Sequence, residues 1–243
     1  MQRLLLVIGL LGACLAPAAP AQPAPRGERL LEAWRASTRQ VFDDVDEMAW
    51  TERADLAVEG PGGTDRLRTV TAVRGGTDAG MNRDLQRAEW NGRPVPAGRL
   101  AFLERRMRRA YGPGFEWVRR PLPPEARLFA AFRAEGNARP DQLDGTPAWV
   151  VEVVPARERD RFEGGTLWFS RERGEVRLLR SRLVGRIPRG RSAVVTTDYV
   201  SVEGLDVPRR VRAEAVVQQR RRLRVFTVLL TLDATLEGHR VRR

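Results

Sequence analysis

Few side chains in this chain belong to the types that usually carry out catalysis. His239 is the only histidine and lies four residues from a basic C-terminal end, so we interpret it as a solvated tail residue. A single histidine cannot supply the ligand set of a usual zinc site, and no nearby serine offers it a triad. All 43 basic residues are arginine, which excludes Schiff-base and amine-nucleophile chemistry on a side chain. We therefore expect a protein that is not an enzyme and that uses no metal and no cofactor.

Carboxylates are the remaining candidates for chemistry. Four of the residues in 43–47 are acidic, and their oxygens are of the kind that calcium prefers. The cluster lacks the glycine and the alternating spacing of a calcium loop, so we interpret it as a solvated helix end. Glu152 and Glu163 would suit an acid–base pair, although nothing in the sequence places them near each other. A hydrolase of unassigned chemistry stays open as a minor alternative.

The N-terminal residues 1–21 have the layout of a secretory signal peptide. Arg3 provides a positive start, residues 4–16 are apolar, and Ala19-Pro20-Ala21 places small residues at a cleavage site. The apolar run is shorter than the roughly 20 residues of a membrane-spanning helix. Cleavage after Ala21 predicts a mature chain that begins at Gln22 and contains no cysteine, with 22–26 as a spacer. We therefore expect a periplasmic protein.

An alternative cleavage site lies within the same segment. Leu11-Gly12-Ala13-Cys14 resembles a bacterial lipobox, in which Cys14 would carry a lipid and tie the protein to the outer membrane. We favour cleavage after Ala21, because the apolar run continues past Cys14. Either way the folded part has no disulfide and needs a proper core, for which its length is ample.

The net charge of +12 would suit nucleic acid, but export removes that partner. Two interpretations of the arginine excess remain. Such a surface favours acidic partners, for example phospholipid headgroups, or it is simply a solvated face.

Hydrophobic periodicity predicts helices in three places. Residues 27–45 and 99–111 have apolar side chains at helical spacing, and Gly112 is placed to end the second of these. A third short helix is predicted over 125–135, with Gly136 at its end. Short helices of this kind are not stable alone in water, so each must lie on an apolar surface.

Alternating patterns predict strands through most of the remaining chain. Asn91-Gly92 is a typical two-residue hairpin turn. The predicted strands are 55–59, 66–74, 84–90, 93–95, 149–154, 166–170, 175–184, 192–203, 208–218 and 222–236. The fold class is therefore mainly β (α+β): a single domain over 27–243, with a large curved antiparallel sheet and a few helices.

This order of elements resembles the LolA/LolB-like lipoprotein-sorting proteins. Local similarities are Gly165-Thr166-Leu167-Trp168-Phe169 and Asp198-Tyr199 ahead of Gly204 and Pro208. The resemblance implies an incomplete barrel whose apolar cavity for acyl chains is covered by an N-terminal helix and two short lid helices. Family members have an Arg-Pro step on an early strand, whereas no proline follows Arg68 or Arg74 here.

A gap between the lid helices and the sheet would be a concave apolar binding site. The expected lining residues are Leu103, Met107, Phe129 and Phe132 from the lid, and Trp168, Phe226 and Leu230 from the sheet. The expected function is a monomeric periplasmic carrier of a lipid or an acylated lipoprotein, with an inner- or outer-membrane protein as a further partner. A sensor or scaffold of the same fold that binds a membrane protein is the alternative.

Overall fold

The structure is a computed structural model of the chain. It describes residues 24–76, 80–119, 132–157, 162–172, 176–185, 187, 192–221 and 224–243. The predicted signal peptide and Phe129 lie outside the described residues.

The described residues form one antiparallel sheet of eleven strands and two helices. The strands are β1 (Glu47–Gly60), β2 (Gly63–Gly76), β3 (Gly80–Trp90), β4 (Arg93–Pro94), β5 (Phe132–Leu143), β6 (Thr146–Pro155), β7 (Phe162–Ser170), β8 (Leu178–Gly185), β9 (Ser192–Val202), β10 (Leu205–Arg221) and β11 (Arg224–Arg242). The helices are α1 (Gly27–Asp43) and α2 (Ala97–Arg119). The order across the sheet is β4-β3-β2-β1-β11-β10-β9-β8-β7-β6-β5. The sheet is not closed, since β4 and β5 are its two edges, and the predicted fold class is confirmed.

The two faces of the sheet differ because side chains alternate along each strand. On β11 the side chains of Val228, Leu230, Leu232 and Ala234 are buried, and Leu232 pairs with Leu56 of β1. We call this apolar side of the sheet the inner face, and the opposite side the outer face. Both helices pack on the inner face.

Helix α1 is held on the inner face by a buried polar contact as well as by apolar packing. Leu31 and Trp34 are buried, and the Trp34 ring lies 6.3 Å from that of Phe169. The Trp34 indole Nε1 donates a hydrogen bond to Asp206 Oδ2 at 2.8 Å. The backbone N–H of Leu178 donates to the same oxygen at 2.8 Å. The carboxylate of Asp206 therefore joins α1, β8 and β10.

The N-terminal half of α1 also covers the edge strand β5. Glu28 Oε2 accepts a hydrogen bond from the Ala134 backbone at 2.7 Å, and Arg35 donates to the Phe132 carbonyl at 2.5 Å. Just before the helix, the Pro25 carbonyl accepts from the Ala138 N–H at 2.9 Å. These contacts occupy backbone groups that an uncovered sheet edge would offer to another chain.

The predicted helix over 125–135 is wrong from Phe132 onward, where β5 begins; residues 125–131 lie outside the described residues. Gly136 has φ +68° inside β5, where the register with β6 shifts between Glu135 and Arg139. The glycine therefore serves a β-bulge, and not the end of a helix.

A helical segment that the sequence did not predict follows Gly112. This glycine has φ 53° and ψ −132°, so it bends α2 where the sequence predicted an end, and the helix resumes as far as Arg119. Several strands are also longer than predicted. Strand β1 starts at Glu47 and β11 continues to Arg242, because the two strands pair from Glu47 opposite Arg242 to Glu59 opposite Leu229.

We expect Trp34→Phe to lower the free energy of unfolding by about 1–3 kcal/mol, because buried Asp206 loses a donor and the smaller ring leaves part of the core unfilled. Trp168→Phe is the matched control, since the Trp168 indole donates to Asp141 in an exposed site, and we expect a change within about 0.5 kcal/mol. Urea unfolding followed by circular dichroism measures both. Equal losses in the two variants would contradict the role assigned to Asp206.

Candidate functional site

Helix α2 lies across the inner face near the end of the sheet where β1 turns into β2. Its buried side chains are Leu100, Met107, Phe115 and Val118. Tyr111 and Val228 line a cavity of about 200 Å³ beside the Gly60–Gly63 turn. These contacts place α2 as a cover over the strands β10 and β11.

Gly114 allows α2 to approach the sheet closely. A Cβ built at this glycine would lie 2.2 Å from Val217 Cγ1 and 3.2 Å from Leu230 Cδ1. No ordinary side chain fits there, since valine is stiff at χ1 and cannot turn away freely. The segment after the bend therefore sits directly on the side chains of β10 and β11.

Four of the predicted lining residues lie on α2 or on β11. Met107 and Leu230 are buried in the same hydrophobic core, and Leu103 is half-buried on α2. Phe226 is half-buried two residues before Val228, in the alternation of the inner face. These residues border the region where α2 meets the sheet.

Two other predicted lining residues lie elsewhere. Phe132 is buried on the edge strand β5, where its ring lies 5.6 Å from that of Phe162. Trp168 lies on the outer face, because its neighbours Leu167 and Phe169 are the ones that point into the core. Trp168 therefore lies on the side of the sheet opposite to Met107 and Leu230, and it does not border the region under α2.

Sequence reasoning missed the residues that seat α2 on the sheet. Gly114, Phe115 and Val118 follow the glycine at which the helix was predicted to end. The signal was present in the spacing of Phe115 and Val118, which lie three residues apart and so share one helix face.

The inner face also contains buried polar groups. Ser181 and Tyr199 are joined by a hydrogen bond of 3.2 Å between their hydroxyl oxygens. Burial raises the pKa of Tyr199 to about 12, so its hydroxyl stays neutral at physiological pH. Glu52 is buried on β1 and forms an ion pair with Arg83 of β3.

The outer face carries cross-strand ion pairs. Arg180 and Arg212 both contact Asp198, which is buried between them. Arg210 pairs with Asp233, and its hydrogen bond lowers the pKa of that carboxyl. An open depression of about 660 Å³ lies over this array. Much of the positive charge on this face is therefore paired with carboxylates.

Two of the acidic residues considered for chemistry, Glu47 and Glu152, have structural partners. Glu47 pairs with Arg74 at 3.5 Å and with Arg242 at 3.4 Å. Glu152 pairs with Arg139 at 2.9 Å and accepts a hydrogen bond from Thr166. Within the described ranges no three histidine, cysteine or acidic side chains are grouped as metal ligands would be. In the same ranges no helix combines the length and apolar character needed to cross a membrane.

The interpretation of His239 as a solvated tail residue is wrong. It belongs to β11, is half-buried, and stacks on Trp50 with ring centroids 6.1 Å apart. Burial lowers the pKa of His239, against the smaller effect of a backbone hydrogen bond with Pro208. The position follows from the long pairing of β11 with β1, which a local pattern does not reveal.

Comparison with known proteins gives similarity only at the level of structure. No protein-family model matches the sequence, and no curated protein matches it either. A domain assigned as an outer membrane lipoprotein-sorting protein from Vibrio parahaemolyticus is similar with a TM-score of 0.43 and 10% identity, over 89% of this chain and 93% of that one. A DUF1329 family protein from Desulfovibrio piger gives 0.40 and 11%, over 89% and 93%. A LolA superfamily protein from Nitrosomonas europaea gives 0.36 and 11%, over 90% and 95%. These structures include the family that the sequence resembles.

Gly114→Ala should destabilise the protein by about 1–3 kcal/mol, because the added methyl group overlaps Val217 in a packed interface. Gly98→Ala is the matched control on the same helix, since a Cβ there meets nothing within 4 Å. We expect that substitution to be neutral or to stabilise by up to about 1 kcal/mol. Thermal unfolding compares the two variants, and a neutral Gly114→Ala would refute the close approach of α2.

Stability should fall as the pH is lowered through about 6.5, where the unfolded chain protonates His239. The folded chain binds that proton only at a lower pH, so the unfolded state holds more protons in between and is favoured there. Urea unfolding at pH 7.5 and 5.5 measures the effect, and no other histidine titrates in this interval. The neutral ring of His239→Phe should lessen the loss; the same loss in the variant would show that His239 is not its source.

Proposed function

We propose that this chain is an exported, periplasmic carrier that holds the acyl chains of a lipid or an acylated protein between α2 and the inner face of the sheet. The observation that carries the proposal is the seating of α2. An apolar helix face lies on the apolar side of an open sheet, and the tightest contact is made through Gly114 without a side chain. Two apolar surfaces that separate create a site suited to a hydrocarbon chain.

The two helices are held in different ways, which favours α2 as the mobile lid. Helix α1 is joined to the sheet by the Trp34–Asp206 and Glu28–Ala134 hydrogen bonds. Helix α2 has Gly112 as an internal bend, at a φ that favours glycine. In the open arrangement α2 leaves the sheet as a whole, so release of the close contact at Gly114 is the step that uncovers the inner face.

The side chains under the lid are suited to cargo of variable shape. Met107 is buried on the lid and Leu230 lies below it on β11. A thioether side chain adapts to irregular apolar partners at little cost. Leu103 and Phe226 lie at the border of this region, and they would contact the end of the acyl chain that is nearest to solvent.

Export supports the assignment of the cargo. The N-terminal pattern around Ala19-Pro20-Ala21 predicts release into the periplasm. A carrier that moves a lipid through this aqueous compartment must shield the acyl chains from water. Retention of Cys14 would instead make the protein a membrane-tied receiver of the same cargo.

A reversible lock on α2 tests the proposal. The ideal Cβ at Gly114 lies 3.6 Å from Val217 Cβ, which is within the range of a disulfide. In Gly114→Cys/Val217→Cys the valine methyl groups that would clash are also removed. The oxidised double variant should not take up a fluorescent fatty acid, and reduction with dithiothreitol should restore uptake to the level of the wild type.

The single variants Gly114→Cys and Val217→Cys are the controls, and reductant should not change their uptake. Intact mass spectrometry of the protein exported by a Gram-negative host reports the mature N-terminus and any copurified lipid in one measurement. We expect Gln22 as the first residue. Uptake by the oxidised lock equal to that of the wild type, or no uptake by the wild type, would refute an acyl-chain site under α2.

A further inference from the structure

The solvent side of α2 has an unusual composition for a helix packed on a sheet. Four arginines, Arg99, Arg105, Arg106 and Arg109, are exposed on it, and within the described part of the chain none of them forms an ion pair. Phe102 lies among them with 57% of its surface exposed. At 100° per residue, Phe102, Arg105 and Arg109 point opposite to Leu100 and Met107, which are buried. This set of four arginines and Phe102 is called the basic face below.

The basic face differs from the outer face of the sheet. There the arginines are matched by carboxylates, as in the pairs Arg210–Asp233 and Arg212–Asp198. On α2 the two acidic side chains are half-buried and away from the basic face, and Glu116 pairs with Arg108. The positive charge of the basic face is therefore free to act on a partner.

The apolar part of this surface is also not explained by packing. Three large hydrophobic side chains are exposed among the described residues: Phe102, Val200 and Val225. Val225 lies at the start of β11, at the same end of the sheet that α2 crosses. Positive charge around an exposed apolar side chain suits the surface of an anionic bilayer, which offers phosphates to the arginines and an apolar layer below them to the phenylalanine.

We propose that the basic face of α2 docks on anionic phospholipid bilayers, with the arginines on the phosphates and Phe102 inserted among the headgroups. Each arginine near an anionic surface contributes about a fivefold gain in partitioning. The docking surface consists of residues of α2 alone, so it does not depend on an acyl-chain site.

Flotation of the protein with vesicles tests this docking. Vesicles of phosphatidylglycerol and phosphatidylcholine in equal amounts are compared with vesicles of phosphatidylcholine alone. We expect binding to the anionic vesicles, weakening as salt is raised. Arg105→Gln/Arg109→Gln should reduce the partition coefficient about 30-fold, and Phe102→Ser should reduce it several-fold.

Arg29→Gln/Arg39→Gln is the charge-matched control, because both residues are exposed on α1. We expect it to change partitioning less than twofold. Circular dichroism checks that all variants are folded.

The proposal would be overturned if the two double variants lost partitioning equally, or if the wild type showed no preference for anionic vesicles. The basic face would then fit an acidic protein. The vesicle assay measures docking on a bilayer, and the fatty-acid assay measures binding of cargo. A negative result in one assay therefore does not affect the interpretation of the other.

Discussion

The buried carboxylate of Asp206 determines how the helical layer meets the sheet. A buried carboxylate is costly unless its oxygens are hydrogen-bonded, and Trp34 on α1 and Leu178 on β8 both donate to Asp206. The Trp34 bond forms only when α1 lies in one position across the inner face. The rest of α1 follows from that position, because Glu28 and Arg35 then reach the backbone of the edge strand β5. One helix therefore covers much of the apolar face and also one open edge of the sheet.

The position of α1 leaves the other part of the inner face to α2. This helix starts beside the opposite edge, after β4, and the segment beyond Gly112 reaches β10 and β11. Gly112 and Gly114 have separate roles, since the first allows a bend and the second allows contact without a side chain. The contact at Gly114 is apolar, and apolar packing has no direction, so this contact can be released without leaving a buried charge unpaired there.

The sequence predicted what depends on local periodicity. Alternation identified β10 and β11, and helical spacing located α1 to within two residues of its end at Asp43. Features that depend on distant pairing were missed. His239 lies in a strand because β11 continues beside β1, with Glu47 opposite Arg242. Trp168 was assigned to the wrong face because three consecutive large side chains, from Leu167 to Phe169, hide the period of two. Gly136 has a positive φ in the β-bulge, and a glycine that ends a helix has a positive φ as well. The presence of a glycine therefore does not distinguish a β-bulge from the end of a helix.

The two proposals for α2 are linked by a thermodynamic condition. A membrane can open a lid only if it binds the open arrangement more tightly than the closed one. The basic face is already exposed when the lid is closed. Attraction between the arginines and the phosphates would therefore bind the closed and the open arrangement equally well, and it would not by itself open the lid. Insertion differs, because an α2 that lifts and also turns about its own axis would present Met107 and Leu103 to the bilayer. On the sheet these side chains are buried or half-buried, and Met107 points opposite to Phe102. On this view the arginines bring the protein to the bilayer, and the gain from the additional apolar side chains opens the lid there. In water the same side chains have only the inner face to pack against, which keeps the lid closed between membranes.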